Sequence, residues 1–231
     1  MRSFWSYLSG GRYAVGCTGR TVCVCDAAGR EVATFRDLPY AYLPALSPDG
    51  ETLAVKSTEG RLAAYSLREL RLIKKFRFSP ADVPQDDNMC FSPDGKLLYN
   101  IESLGRGETR IAAYSSDSFA AVLRLFEGEG INARCLECTG GQVFVLGDRE
   151  SGQGEERSSF TALLQGGHLE QIRPASERDA DLCLGYVALR DTGFTKTAKQ
   201  WASLRYMGYD MENIEGRDLS IGRLWREGGF R

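Results

Sequence analysis

Short apolar runs separated by clusters of turn-forming residues dominate this chain. VCVC at 22–25, the core of ETLAVKST at 51–58, RLAAYS at 61–66, KLLYNIES at 96–103, RIAAYS at 110–115 and VFVLG at 143–147 are of this kind. Each is too short for a helix, leans toward Val, Ile, Leu and Tyr, and is bounded by Gly, Pro, Asp or Ser, which predicts strands. The runs are nearly continuous in apolar character instead of alternating, the pattern of strands buried on both faces.

The runs recur in order. Ser47-Pro48-Asp49-Gly50 returns as Ser92-Pro93-Asp94-Gly95, 45 residues later. The chemistry is that of a hairpin corner: proline presets φ, aspartate bonds nearby backbone, and glycine accepts a positive φ. After each corner come two β-leaning runs, and the second of them recurs after 49 residues, from Arg61 to Arg110. The four extra residues fall in SLGRGET at 103–109, a loop. Weaker copies extend the pattern on both sides, LSGGRYAVGCTGRTVCVCDAAGREVATF at 8–35 and LECTGGQVFVLGDRESGQGEERSSFTALLQGGHLEQI at 136–172. A period of roughly 40–50 residues with four short strands per unit predicts sheets that bury their faces by stacking on neighbours.

LSPDGETLAVKSTEGRLAAYSL and FSPDGKLLYNIES with RIAAYS resemble the WD-repeat and WD-like families of β-propellers, and the resemblance is strong over residues 46–126. Tyr65-Ser66 and Tyr114-Ser115 stand where the Trp-Asp pair of that family would be, and no Gly-His pair precedes a unit. The resemblance implies an all-β fold: a single β-propeller domain of about five four-stranded blades, over residues 1–36, 37–78, 79–127, 128–173 and 174–231, the last irregular. In that last unit TKTAKQWASLRYMGYDM (195–211) reads either as a helix through Ala198, Trp201, Leu204 and Met211 or as a strand alternating Ala202, Leu204 and Tyr206. The strand is favoured because a third strand is due there. Either SIGRLW (220–225) or SFWSYL (3–8) is placed to close the last blade.

Charge changes the picture mainly by exclusion. Lys+Arg number 29 against Asp+Glu 31, a net charge of -2, which gives no field to draw in nucleic acid or anionic lipid. No segment reaches the roughly 20 apolar residues of a membrane span, and no leader-like apolar run opens the chain. Seven scattered cysteines, an odd number, suit free thiols in a reducing compartment, so a cytoplasmic setting is expected.

The chemistry-bearing residues point away from catalysis. His168, the one histidine, lies in QGGHLEQ and reads as an exposed turn residue. Cys135 and Cys138 are three apart in a predicted strand, so they face opposite ways and read as small buried hydrophobes, with no metal expected. No nucleophile elbow, phosphate-binding glycine loop or calcium loop occurs, and no cofactor is expected.

Loop length distinguishes the two ends of the units. Between second and third strands the loops lengthen from STEG (57–60) through SLGRGET to DRESGQGEERS (148–158), and the connection RFSPADVPQDDN (77–88) belongs to the same end. The opposite corners, SGG, SPDG and TGG, are short. Extra residues at one end are what a binding surface on a rigid scaffold uses. The reading is a non-enzymatic scaffold that binds a protein or peptide partner. Asp82, Asp86, Asp87, Arg106, Arg149 and Arg157 are its candidate contacts, and Tyr40 and Tyr42 its aromatic anchors. The alternatives are a hydrolase-type enzyme with a central-channel site, or a propeller completed by oligomerisation.

Overall fold

The Ser-Pro-Asp-Gly corners are built twice with the same hydrogen bonds. In the first, Ser47 Oγ donates to Asp49 Oδ1 and accepts the Thr52 N–H at 2.9 Å, and Asp49 Oδ1 also accepts the Glu51 N–H at 2.9 Å. In the second, Ser92 Oγ donates to Asp94 Oδ1 at 2.6 Å and accepts from Leu97 N at 2.9 Å, and the same carboxylate oxygen accepts from Lys96 N at 3.1 Å. Gly50 and Gly95 take φ of 72° and 71°, the left-handed geometry that the sequence assigns to them. Hydrogen bonding first to the serine hydroxyls and then to backbone N–H groups holds both aspartates below the usual carboxylate range.

The computed structural model describes residues 2–4, 6–10, 13–26, 28, 30–79, 83–85, 89–150, 157–175, 202–206 and 209–210. All regular structure among them is strand. β1 (Arg2–Phe4) is followed by four antiparallel four-stranded sheets in which sequence order is spatial order. They are β2 to β5 (Ser6–Gly10, Tyr13–Cys17, Val22–Asp26, Glu31–Phe35) and β6 to β9 (Ala41–Leu46, Thr52–Ser57, Arg61–Ser66, Arg71–Arg77). Then come β10 to β13 (Met89–Phe91, Leu97–Gly105, Glu108–Ser115, Ala121–Leu125) and β14 to β17 (Ile131–Thr139, Gln142–Glu150, Arg157–Gln165, His168–Pro174). The favoured strand near 202–206 is present as β18 (Ala202–Tyr206), which pairs parallel with β1 and antiparallel with the two-residue β19 (Tyr209–Asp210). SFWSYL is thus shared between β1 and the first strand of the first sheet, whereas 220–225 lies outside the described residues.

The described strands fall into two compact units, one holding β1–β9, β18 and β19, the other β10–β17. In the first, Val15, Cys17, Val22, Val24 and Phe35 of one sheet pack with Leu53, Val55, Ala63 and Tyr65 of the next. In the second, Tyr99, Ile101, Ile111 and Ala113 pack with Leu136, Val143, Val145, Phe160 and Ala162. The middle strands are buried on both faces, as in β7, β8, β11 and β15, while the fourth strands β9, β13 and β17 are largely exposed. That is why the middle strands read as apolar runs, while β9 and β17 among the fourth strands carry charge. Cys135 is fully buried and Cys138 packs toward the second unit's core from β14, on opposite faces as a three-residue separation in a strand requires.

Candidate functional site

In the first unit the long connection after β9 folds back over the β7–β8 turn. Phe78 N bonds Gly60 O at 2.9 Å, Gln85 N bonds Thr58 O at 2.9 Å, and Arg77 Nη1 reaches Glu59 O at 3.2 Å. Gln85 is fully buried and its Nε2 donates to Ser79 Oγ at 3.0 Å. The fit is close at Gly60, where a Cβ would lie 2.8 Å from the Ser79 Cβ and 2.9 Å from the Ser79 carbonyl oxygen. Beneath this strap, the fully buried Lys56 sets its Nζ 5.5 Å from the centre of the Phe78 ring, a cation–π contact. The β5–β6 connection joins the same end through Thr58 N to Tyr40 O at 3.2 Å and Ser57 Oγ to Pro39 O at 2.8 Å.

Tyr40 is half exposed there at a φ of 54°. Tyr42 is a correction to the anchor reading. It is the extra residue of a bulge in β6 and only 8% exposed, because its run is the buried first strand of a sheet, so its ring lies inside. Asp82, Asp86 and Asp87 lie outside the described residues, and so does the stretch 151–156 of the longest loop.

In the second unit the described end of the longest loop, at Arg157, meets the β11–β12 turn. β11 and β12 join through Arg106 and Gly107, both at positive φ (55° and 78°), the primed turn that matches strand twist in a two-residue hairpin. Arg157 Nη1, from the start of β16, lies 3.5 Å from where a Cβ on Gly107 would stand. Arg157 also pairs with Glu150 at 3.5 Å, and the Glu150 N–H bonds Gly130 O at 2.9 Å in the β13–β14 connection. Thr109 ties the two sheets together, its N–H donating to Asn132 Oδ1 and its hydroxyl to Ala133 O, each at 3.0 Å.

Two further ion-pair groups stiffen this end. Arg110 reaches Glu102 through Nε at 2.9 Å and Nη2 at 2.8 Å, and Glu127 through Nη1 at 2.9 Å. Glu102 is 1% exposed and also accepts from the Tyr114 hydroxyl and from Asn100 Nδ2 at 3.3 Å. Burial, followed by the Glu102 charge, drives the Tyr114 phenol well above its ordinary range. Asp148 pairs with Arg134 and accepts from Ser159 Oγ at 2.8 Å. Arg106 and Arg149 are exposed and have no ion-pair partner among the described residues.

Sequence reasoning placed Arg106, Arg149 and Arg157 at this end but missed the ion pairs around them. Glu102 and Arg110 stand directly opposite each other only because Leu104 is an extra residue in β11, since the Arg106–Gly107 turn alone would set Glu102 against Ile111. Thr109 with Asn132 carries no sequence signal, since the contact joins different sheets. His168 is exposed after the Gly166–Gly167 turn and belongs to neither cluster.

Neither a family model nor a curated protein matches the sequence. Solved structures do resemble this chain in fold. A hydrazine synthase of Kuenenia stuttgartiensis matches with a TM-score of 0.60 at 17% identity over 77% of this chain and 50% of its own. The Pan2 WD40 domain of Neurospora crassa matches with a TM-score of 0.52 at 9% identity over 74% of this chain and 52% of its own. The chain spans about half the length of each. At such identities the likeness concerns fold alone: all-β, with successive four-stranded antiparallel sheets of the WD40 kind.

Proposed function

We propose that the chain is a non-enzymatic β-propeller scaffold of about five blades that binds a protein or peptide through the loop end of its sheets. The observation that carries the reading is the state of charge in the second unit. The arginines Arg157, Arg110 and Arg134 are paired with Glu150, Glu127 and Asp148 at the strand ends and connections, while Arg106 and Arg149 remain exposed without an ion-pair partner among the described residues. Guanidinium groups on an ordered backbone need no loop ordering to meet a partner, and their planar fork confers orientation as well as affinity. Tyr40 supplies the exposed aromatic group at the corresponding end of the first unit. The scattered cysteines support a reducing, cytoplasmic setting.

The test is to capture partners with the tagged chain and then to measure affinity for variants. Arg106→Ala and Arg149→Ala should each weaken binding, by a fraction of a kcal/mol at a rim position and about 2 kcal/mol or more at a desolvated centre. Glu51→Ala and Lys96→Ala, beside the opposite corners, should leave affinity unchanged. Binding lost in the corner variants and kept in the arginine variants would assign the wrong end.

A further inference from the structure

One irregularity recurs in every four-stranded sheet. Val24 pairs with Ala33 and Cys25 with Glu31, which leaves Val32 as an extra residue in β5. Ala64 pairs with Lys74 and Tyr65 with Leu72, so Ile73 is extra in β9. Ala113 pairs with Leu123 and Tyr114 with Ala121, so Val122 is extra in β13. Thr161 pairs with Arg173 and Leu163 with Glu170, so Gln171 and Ile172 stand opposite Ala162 alone in β17, and Gln171 has a positive φ of 50°.

Each bulge lies in the fourth strand, against the third. Each also turns a β-branched residue outward: Val32, Ile73, Val122 and Ile172 are 37%, 41%, 50% and 46% exposed. The first strands behave differently. β6 and β14 carry a bulge, β2 and β10 are regular, and β6 and β10 are buried edges. The feature common to all four sheets therefore sits, among the described residues, on the outer fourth-strand edge, which would otherwise offer unpaired N–H and C=O groups to another strand.

We propose that these four bulges are edge guards, each preventing its sheet from adding a strand of a second copy of this chain. A bulge unpairs one residue, bends the strand and raises its twist, which removes the flat run of donors and acceptors that strand addition needs. Charge assists unequally. β9 carries Arg71, Lys74, Lys75 and Arg77, which antiparallel self-pairing would set against one another, whereas β13 has Arg124 alone. In β13 the bulge at Val122 is the principal protection.

The register makes the test sharp. Deleting Val122 puts Ala121 directly beside Leu123, opposite Tyr114 and Ala113, and closes the ladder with every other pair unchanged. Deleting Val32 does the same for Glu31 and Ala33. Both deletion variants should keep the far-ultraviolet circular dichroism of the parent. In sedimentation velocity over a concentration series they should self-associate at least about tenfold more tightly. Deletion of Ile73 should associate less than deletion of Val122, because like charges then oppose each other. Val122→Thr keeps the bulge and should sediment as the parent does. Deletion variants that fold and sediment like the parent overturn the proposal, as does failure of both to fold, because the bulges would then be needed by the sheet itself. Association of Val122→Thr as strong as that of the deletion would assign the effect to the side chain and overturn it too.

Discussion

Tyr65 and Tyr114 occupy the same place in two copies of one motif, yet removing the hydroxyl should have opposite effects. Tyr65 is fully buried, with its ring stacked on Phe35 at a centroid distance of 4.2 Å and 19° between planes. Its hydroxyl has no hydrogen-bond partner among the described residues, and burial first of all pushes its phenol well above the ordinary range. A buried hydroxyl without a partner carries a desolvation penalty of about 1–3 kcal/mol. Tyr65→Phe keeps the stacked ring and removes that penalty, so it should stabilise by about 1 kcal/mol. The Tyr114 hydroxyl donates to the buried carboxylate of Glu102, and a hydrogen bond to a charged group contributes about 1.5–3 kcal/mol. Tyr114→Phe should lose that and leave Glu102 less well solvated. For a chain of this size each kcal/mol moves the midpoint by about 2–4 °C. Thermal melts followed by circular dichroism should show the Tyr65 variant above the parent and the Tyr114 variant below it. Equal destabilisation of both would mean that the Tyr65 hydroxyl is satisfied in solution, and the reasoning would be refuted.

Further expectations follow from the turns and the buried pair. Gly50→Ala meets open space, so only the positive φ opposes it and about 1–2 kcal/mol is expected; Gly60→Ala has a similar φ plus the Ser79 backbone within contact and should lose clearly more in urea titrations. Asp49 and Asp94 titrate lower in the folded chain than when unfolded, so the unfolded state binds more protons on acidification. Their contribution is present above about pH 4 and lost as pH falls through the folded values, and Asp49→Asn with Asp94→Asn should flatten the acid limb of the melting curve. Arg110→Met strands the carboxylate of Glu102 in the interior and should destabilise by about 3–5 kcal/mol, read by denaturant unfolding.

The sequence alone determined much of the local structure. Ser-Pro-Asp-Gly contains within four residues every group that closes its corner, so both turns were legible without the fold, as were the strands that follow them. Apolar runs such as RLAAYS marked strands buried on both faces, because double burial leaves no polar alternation to see. The exposed arginines at the loop end were also legible, since loop length in the repeat says where extra residues gather. The interior position of Tyr42 was not: β6 is buried on both faces, and only the packing of neighbouring strands over it decides that. Nor were the partners of Arg110 and Arg157, which depend on cross-strand register and on the approach of different sheets. The bulges at Val32, Ile73, Val122 and Ile172 were hidden for the same reason. An extra residue in one strand exists only relative to the strand beside it, and tertiary structure alone supplies that neighbour.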